Sequence, residues 1–452
     1  MSMKDLVQPI VAIVGRQNVG KSSLFNRVMG QRQAIVSEVA GTTRDRLMGE
    51  ARWDGYRFIL VDTGGLETNP EGSIREKVQE HADMAMADAD VIIFVVDVTE
   101  GVTPTDEVAA DRLRRTQKPV VLAVNKVDND ARELAAAEFY RLGKSDPVLI
   151  SAYHNFGIHQ LLDQVVSHLP PYVEPEESTG EPGAKEPAEL KLAIVGRTNV
   201  GKSMLLNTIL GEERAIVSPV AGTTRDALDT RFQYGGQDIV LIDTAGIRRP
   251  GQVERGIEKY SVIRAVSAVN RSDITLLVTD ATELATAQDA HISSLSWDMC
   301  RGLIVVVNKW DLVEESRFSR ERALEKVQER LHFMPYVPVC FTSALRGEGI
   351  DTLMLLALEL WQERLRYVPP RELQYALADA LASHTPPTVK GHRSQRLHIN
   401  RLRQVDVNPP TFLFTVDNPE LVHFSYQRYL ENRLRASFGF HHTHLKLVFK
   451  RR

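Results

Sequence analysis

Cysteine is almost missing from this chain: Cys300 and Cys340 are the only two, and they lie in separate apolar segments without a paired spacing. That excludes a disulfide framework or a thiolate metal site and leaves two reduced, buried thiols as the expectation. Long apolar runs are missing too. No stretch approaches the roughly 18 uninterrupted residues of a membrane-spanning helix, so no membrane partner is expected. The first strand-like run starts at Ile10, too near Met1 for a secretion signal, and the expected location is cytoplasmic. A dominant charge is lacking as well, since the formal net charge is only −4. That balance hides an asymmetry, because residues 390–452 hold twelve Lys or Arg against four Asp or Glu. Such a tail on an otherwise acidic chain suggests an anionic partner, nucleic acid being the commonest, with plain solvated surface charge as the alternative.

What is present is a globular composition, 43% hydrophobic and 25% charged, in a length that suits about three domains. The chain also repeats itself. GRQNVGKSSLFN starts at Gly15 and GRTNVGKSMLLN at Gly196, an offset of 181, and AGTTRD recurs from Ala40 to Ala221 at the same offset. DTGG at Asp62 returns as DTAG at Asp243, and NKVD at Asn125 as NKWD at Asn308, now offset by 183. Two copies of one domain are the reading. The expected layout is a first domain over 1–172, a flexible acidic linker over 173–189, a second domain over 190–367 and a basic domain over 368–452. The linker, VEPEESTGEPGAKEPAE, is dense in Glu, Pro and Gly and cannot offset the entropy of ordering.

Continuous apolar runs predict strands at residues 10–15, 56–62, 90–97, 119–126 and 146–152, and again at 190–196, 238–243, 273–280, 303–309 and 337–344. Runs of this kind suit strands buried on both faces of a parallel sheet covered by helices. The expected fold class is therefore α/β: two mostly parallel, doubly wound P-loop domains, followed by a small α+β domain. In that last domain the pattern predicts a helix over Glu372–Ser383, strands over Arg396–Val407 and Thr411–Val416, a helix over Glu420–Phe438 and a strand over Leu445–Phe449. His441, His442 and His444 have no Cys or carboxylate beside them to complete a metal site.

Gly15, Gly20, Lys21 and Ser22 follow a strand and open a helix, the context in which a glycine-rich loop cradles phosphate with its amides and the helix N-terminus. Lys21 is expected at the β- and γ-phosphates and Ser22 on Mg²⁺, with Ser23 beside the nucleotide. Gly196, Gly201, Lys202, Ser203 and Met204 repeat the arrangement. Asp62 and Asp243 end buried strands, where a carboxylate is costly unless it faces a cation, here Mg²⁺. Gly65 and Gly246 then offer an N–H to the γ-phosphate. One threonine from each pair, Thr42–Thr43 and Thr223–Thr224, is expected to complete the Mg²⁺ shell, Thr43 and Thr224 being favoured. These two and the lysines Lys21 and Lys202 are the candidate catalytic residues.

Asp128 and Asp311 explain base choice: a carboxylate can accept two hydrogen bonds from the guanine N1–H and amine, which adenine cannot give. Asn125 and Asn308 are expected at the other edge of the base, Lys126 and Lys309 over its face, and Ser151–Ala152 and Ser343–Ala344 as backbone contacts. GTP and GDP are thus the expected ligands. The position after the glycine of DxxG, which often holds a water-orienting Gln, carries Leu66 or Ile247. Slow intrinsic hydrolysis follows, dependent on electrostatic stabilisation. Asn18 and Asn199 are placed to help hold K⁺ where an arginine finger would otherwise act.

Together with PPTFLF, NPELVHFSYQRYLENRLR and FGF in the tail, these motifs resemble the bacterial ribosome-assembly GTPases of the Der (EngA) family over essentially the whole chain. The resemblance implies GTP hydrolysis stimulated by K⁺ and maturation of the large (50S) ribosomal subunit through nucleotide-dependent binding. It also implies contact with rRNA rather than DNA, and a KH-like C-terminal domain packed on the GTPase domains. There are departures. No GxxG occurs in residues 371–452, which argues against KH-style backbone clamping and for phosphate contacts by a basic surface. Ala40 and Ala221 stand where Pro is common, and Met204 where Ser is common. Two other readings remain open: a nucleotide-gated scaffold with negligible turnover in one copy, and a GTPase of RNA modification or membrane-linked signalling. For the second, neither a modification-domain signature nor a membrane-binding helix is apparent.

Overall fold

The computed structural model describes residues 8–30, 48–63, 83, 85–86, 88–143, 146–170, 189–211, 215–217, 229–244, 262–284, 286–314, 318–332, 334–385, 388–389 and 395–451. They form two compact units, one built on a six-stranded sheet, the other carrying a seven-stranded sheet and the C-terminal domain.

In the first unit β1 (Ile10–Val14) leads through the glycine loop into α1 (Lys21–Met29), and β2 (Met48–Trp53) and β3 (Tyr56–Asp62) form a hairpin. Then follow β4 (Val91–Asp97), α2 (Pro104–Leu113), β5 (Val120–Asn125), α3 (Asp130–Ala135), β6 (Val148–Leu149) and α4 (Ile158–Ser167). Strand order is β2-β3-β1-β4-β5-β6, parallel except for the β2–β3 pair. Every residue of β1 and β4 is buried, as continuous apolar runs require. Val11, Ile13, Ile93 and Val95 meet Leu24, Phe25, Leu161 and Val165 in one core. α2 starts at a capping box in which Thr103 and Asp106 satisfy each other's backbone N–H.

The second sequence repeat runs in a similar order: β7 (Glu189–Val195), α5 (Lys202–Gly211), β8 (Ala215–Val217), β9 (Thr230–Tyr234), β10 (Gln237–Ile242), α6 (Val262–Arg271), β11 (Ile274–Asp280), α7 (Ala287–Asp298), β12 (Gly302–Asn308), α8 (Arg320–Arg330), β13 (Val339–Phe341) and α9 (Ile350–Arg364). Strand order is β13-β12-β11-β7-β10-β9-β8, with β9 antiparallel to both β8 and β10 and the remaining pairs parallel. Glu189, placed in the linker by composition, opens β7, because its segment pairs with β10; residues 171–188 lie outside the described residues. β2, β8 and β9 were not predicted. β2 and β9 show why: β9 alternates buried and exposed residues and β2 (MGEARW) mixes charged and glycine residues with apolar ones, so both lack the apolar run that marks the parallel strands.

The C-terminal domain comprises α10 (Pro370–Ser383), β14 (Thr388–Val389), β15 (Gln395–Arg396), β16 (Ile399–Val407), β17 (Pro410–Val416), α11 (Phe424–Phe438) and β18 (Lys446–Arg451). β17 is central, antiparallel to β16 and parallel to β18. Two expectations are corrected here. The strand predicted from Arg396 begins at Ile399. The helix predicted from Glu420 begins at Phe424, after a short 3-10 turn at Pro419–Leu421, with the His423 ring capping the Ser425 N–H.

This domain is bolted to the domain of the seven-stranded sheet through the last turn of α9. Arg364, fully buried, donates from Nε (2.9 Å) and Nη2 (2.6 Å) to Asn408 Oδ1 and from Nη2 to the Cys300 carbonyl at 3.2 Å. Asn408 in turn donates to Asp273 Oδ1 at 2.7 Å. Glu363 accepts from the His441 and His442 N–H groups. The Trp297 and His444 rings meet edge to face at 4.1 Å, and Arg435 lies over the Tyr336 ring at 3.5 Å. Among the described residues no helix is long and apolar enough to cross a membrane, and no metal-holding His/Cys/Asp/Glu cluster occurs. Cys340 is buried, its thiol pushed up to about 11 by burial, while Cys300 is only partly covered; both are free.

Candidate active sites

Both sites sit at the C-terminal ends of the parallel strands, the ligand edge of an open α/β sheet. Gly15 (φ +155°) and Gly196 (φ +145°) pass so close to the next strand that a Cβ would fall 2.3 Å from the Val95 carbonyl or 2.2 Å from that of Val278. Gly20 and Gly201, at φ +95° and +94°, leave the same 2.3 Å to Asn125 Nδ2 and Asn308 Nδ2. Glycine is therefore demanded by left-handed backbone and by contact together.

Lys21 is buried and donates to the Arg16 carbonyl at 2.7 Å; Lys202 donates to the carbonyls of Gly196 (2.9 Å) and Arg197. Burial pushes the Lys202 ammonium down to about 8. Ser22 donates to Asp62 Oδ2 at 2.6 Å, and Asp62 is 2% exposed. A hydroxyl oxygen and a buried carboxylate side by side are the hard oxygen donors that Mg²⁺ takes, so the residues present fit it. In the second copy Asp243 adopts φ 56° and its N–H bonds Asp229 at 2.9 Å. Asn18 and Asn199 are exposed on the loops in left-handed backbone, φ 64° and 62°. Ser23 and Met204, in the first turns of α1 and α5, are also exposed. Thr42, Thr43, Gly65, Leu66, Thr223, Thr224, Gly246 and Ile247 lie outside the described residues.

The asparagines of the NKxD motif have structural partners that the sequence did not announce. Asn125 donates from Nδ2 to the Val19 carbonyl at 2.8 Å and accepts from the Ala152 N–H at 3.0 Å. Asn308 does the same with Val200 and Ala344, at 2.8 and 3.0 Å. Both are 2% exposed. Each asparagine thus ties the phosphate loop to the Ser-Ala turn with its amide oxygen and one of its two Nδ2–H donors, which leaves the second N–H for the base edge. Ser151 and Ser343 fix that turn by pairing with Phe156 and Glu348. The base-reading carboxylates differ between copies: Asp128 is ion-paired with Arg132, whereas Asp311 accepts from Ser343 Oγ at 2.6 Å.

Lys126 and Lys309 adopt left-handed backbone, φ 69° and 62°, and their ammonium groups meet Asp97 and Asp280 at 2.6 and 2.7 Å. Sequence reasoning missed these two aspartates. The signal that could have found them is a second repeated string, DVTE at Asp97 and DATE at Asp280, at the 183 offset of NKxD.

A glycine-cradled phosphate loop with an Asn-Lys-x-Asp turn tied to it, built twice in one chain, and in the first copy a serine–aspartate pair for a hard cation, define a P-loop GTPase site. Residues 10–126 and 191–309 each match the family described as 50S ribosome-binding GTPase, and residues 368–450 the KH-domain-like C-terminal domain of EngA bacterial GTPase enzymes. The chain is 50% identical to GTPase Der of Thermomicrobium roseum, over 98% of this chain and 96% of that protein, and 47% identical to GTPase Der of Herpetosiphon aurantiacus, over 98% and 97%. A solved structure of an Aquifex aeolicus Era variant bound to GDP and aluminium fluoride is 23% identical, covers 59% of this chain and 94% of its own, and has a TM-score of 0.28. The chain belongs to the GTPase Der family. It is a GTP-binding, GTP-hydrolysing protein with two GTPase domains and a KH-like C-terminal domain.

Proposed function

We propose that this ribosome-assembly GTPase matures the large ribosomal subunit in the cytoplasm, binding it in a nucleotide-dependent manner. The observation that carries this reading is the joining of the second nucleotide-site domain to a basic KH-like domain through the chain from buried Arg364 to Asn408 and Asp273. Exposed Arg401, Arg428 and Lys450 suit rRNA phosphates rather than base edges.

Within each site Lys21 and Lys202 receive the β- and γ-phosphates, Ser22, Asp62, Ser203 and Asp243 hold Mg²⁺, and Asp128 and Asp311 select guanine. Thr43 and Thr224 complete the metal shell. When bound, Mg²⁺ neutralises charge shared by the two terminal phosphates. Asn18 and Asn199, exposed on the loops, support a K⁺ site; turnover several-fold faster in K⁺ than in Na⁺ buffer is expected, and equal rates would remove that assignment.

Sedimentation with ribosomal subunits tests the whole. Binding to the large subunit in a non-hydrolysable GTP analogue, weaker with GDP and lost at high salt, is the expected result. No binding under any nucleotide would overturn it.

A further inference from the structure

One repeated string has entered the sites so far only through its first aspartate, Asp97 or Asp280. From Asp97 the first copy reads DVTEGVTPTD, and from Asp280 the second reads DATELATAQD, so Asp, Thr, Glu, Thr and Asp recur at identical spacing. In each copy this loop joins the strand beside the phosphate loop to the next helix, α2 or α7.

Its contacts repeat almost to the tenth of an ångström. Asp97 Oδ1 accepts from the Thr99 N–H at 2.9 Å and Oγ1 at 2.7 Å, and Asp280 Oδ1 accepts from Thr282 at the same two distances. The other carboxylate oxygen is left to face the lysine of the NKxD motif. Asp97 is fully buried at the end of β4, where its Cα partner is Asn125. A carboxylate there is costly unless compensated. Burial pushes its carboxyl up, but Lys126 and the Thr99 donors outweigh that and leave it below the usual range; Asp280 is held down in the same way.

Three residues on, Glu100 meets Arg16 at 2.8 Å, and Glu283 meets Arg197 at 3.1 Å. Asp106 and Asp289, the capping-box residues of the following helices, face the same arginines at 3.5 and 3.6 Å. Arg16 is the residue whose carbonyl holds Lys21. One short loop thus reaches the base-covering lysine at one end and the phosphate loop at the other.

We propose that this loop is a nucleotide-positioning strap in both GTPase domains, in which Asp97 and Asp280 fix the NKxD lysine against the guanine face while Glu100 and Glu283 brace the phosphate loop through Arg16 and Arg197. The proposal rests on the assignment of Lys126 and Lys309 to the base. A lysine stem has four rotatable bonds, and a fixed partner for its ammonium removes the need to order it on each binding event. The aspartates are positioning residues, acting on guanine only through the lysine.

The test uses the full chain with the second site silenced by Lys202→Ala, titrated with GDP. Asp97→Asn, which keeps shape and an acceptor for Thr99, is expected to weaken GDP binding about tenfold, as loss of a charged partner does. In a Lys126→Ala background the same change is expected to add nothing, the sign of a single coupled pair. Competition by inorganic tripolyphosphate, which has no base, is expected to be unchanged. Parental GDP affinity in Asp97→Asn, or an undiminished loss in the Lys126→Ala background, would overturn the strap. An intact GDP affinity in Lys126→Ala itself would instead remove the base assignment beneath it. Asp280→Asn in a Lys21→Ala chain gives the same reading at the second site should the first variant fold poorly.

Discussion

At the scale of single residues the two asparagines are the most informative. Removing the Asn125 amide leaves a buried carbonyl at Val19 and a buried N–H at Ala152 without partners, at about 1–3 kcal/mol for each group. Asn125→Ala is therefore expected to lower the unfolding midpoint of the first domain and to loosen nucleotide binding together; a variant with parental melting and weaker GDP binding would show that the tie between the loops contributes nothing to stability. Lys202 gives a second prediction. Its folded value is about 8, against an ordinary 10.5. Between those values the unfolded chain holds more protons, so this residue's contribution to stability rises with pH across that window. A phosphate beside it pulls the value back up, so GDP binding at the second site is expected to take up a proton near pH 8. Titration calorimetry of the Lys21→Ala chain in two buffers of different ionisation heat checks this: identical heats would show that Lys202 is already charged.

At the scale of elements, the phosphate loops, strand-end aspartates and NKxD turns were legible because left-handed glycines and buried carboxylates leave few other uses for those residues. The parallel strands were legible because burial on both faces writes an unbroken apolar run. β2 and β9 were not, since polar residues interrupt both, in β9 because alternate side chains face outward, and such a sequence resembles a loop. The role of Asn125 was hidden for another reason: its partners are backbone atoms of Val19 and Ala152, distant in sequence, and any side chain could stand there. Helix starts carry a prediction of their own. Thr103 caps α2 and Thr286 caps α7 through reciprocal boxes with Asp106 and Asp289. Thr103→Ala is expected to cost about 1 kcal/mol, read as a lower urea midpoint with unchanged slope.

At the scale of the whole molecule, the second GTPase domain and the KH-like domain share buried polar contacts that are expensive to break. Arg364→Ala leaves Asn408 Oδ1 without its donors and opens a cavity at a fully buried site, and a loss of about 2–4 kcal/mol is expected by chemical denaturation. His444 lies at the same junction. Burial above all, with Arg435, Arg364 and Lys446 adding to it, holds its imidazolium down to about 3 from an ordinary 6.5. In the window from 6.5 to 3 the unfolded chain binds the extra proton, so stability is complete above pH 6.5 and falls as the pH drops through that range. Replacing His444 by Gln is expected to flatten the acid limb of a midpoint-against-pH curve, and an unchanged limb would place the acid sensitivity elsewhere.

The two copies are not interchangeable to an incoming nucleotide. On the proposed assignment of Asp128 and Asp311 to the base, guanine would displace Arg132 from Asp128 at the first site, an exposed ion pair that dissolved salt weakens, and at the second only the neutral Ser343 hydroxyl from Asp311. Raising ionic strength therefore unlocks one door and not the other, and a cell that changes its potassium content would shift which of the two sites fills first.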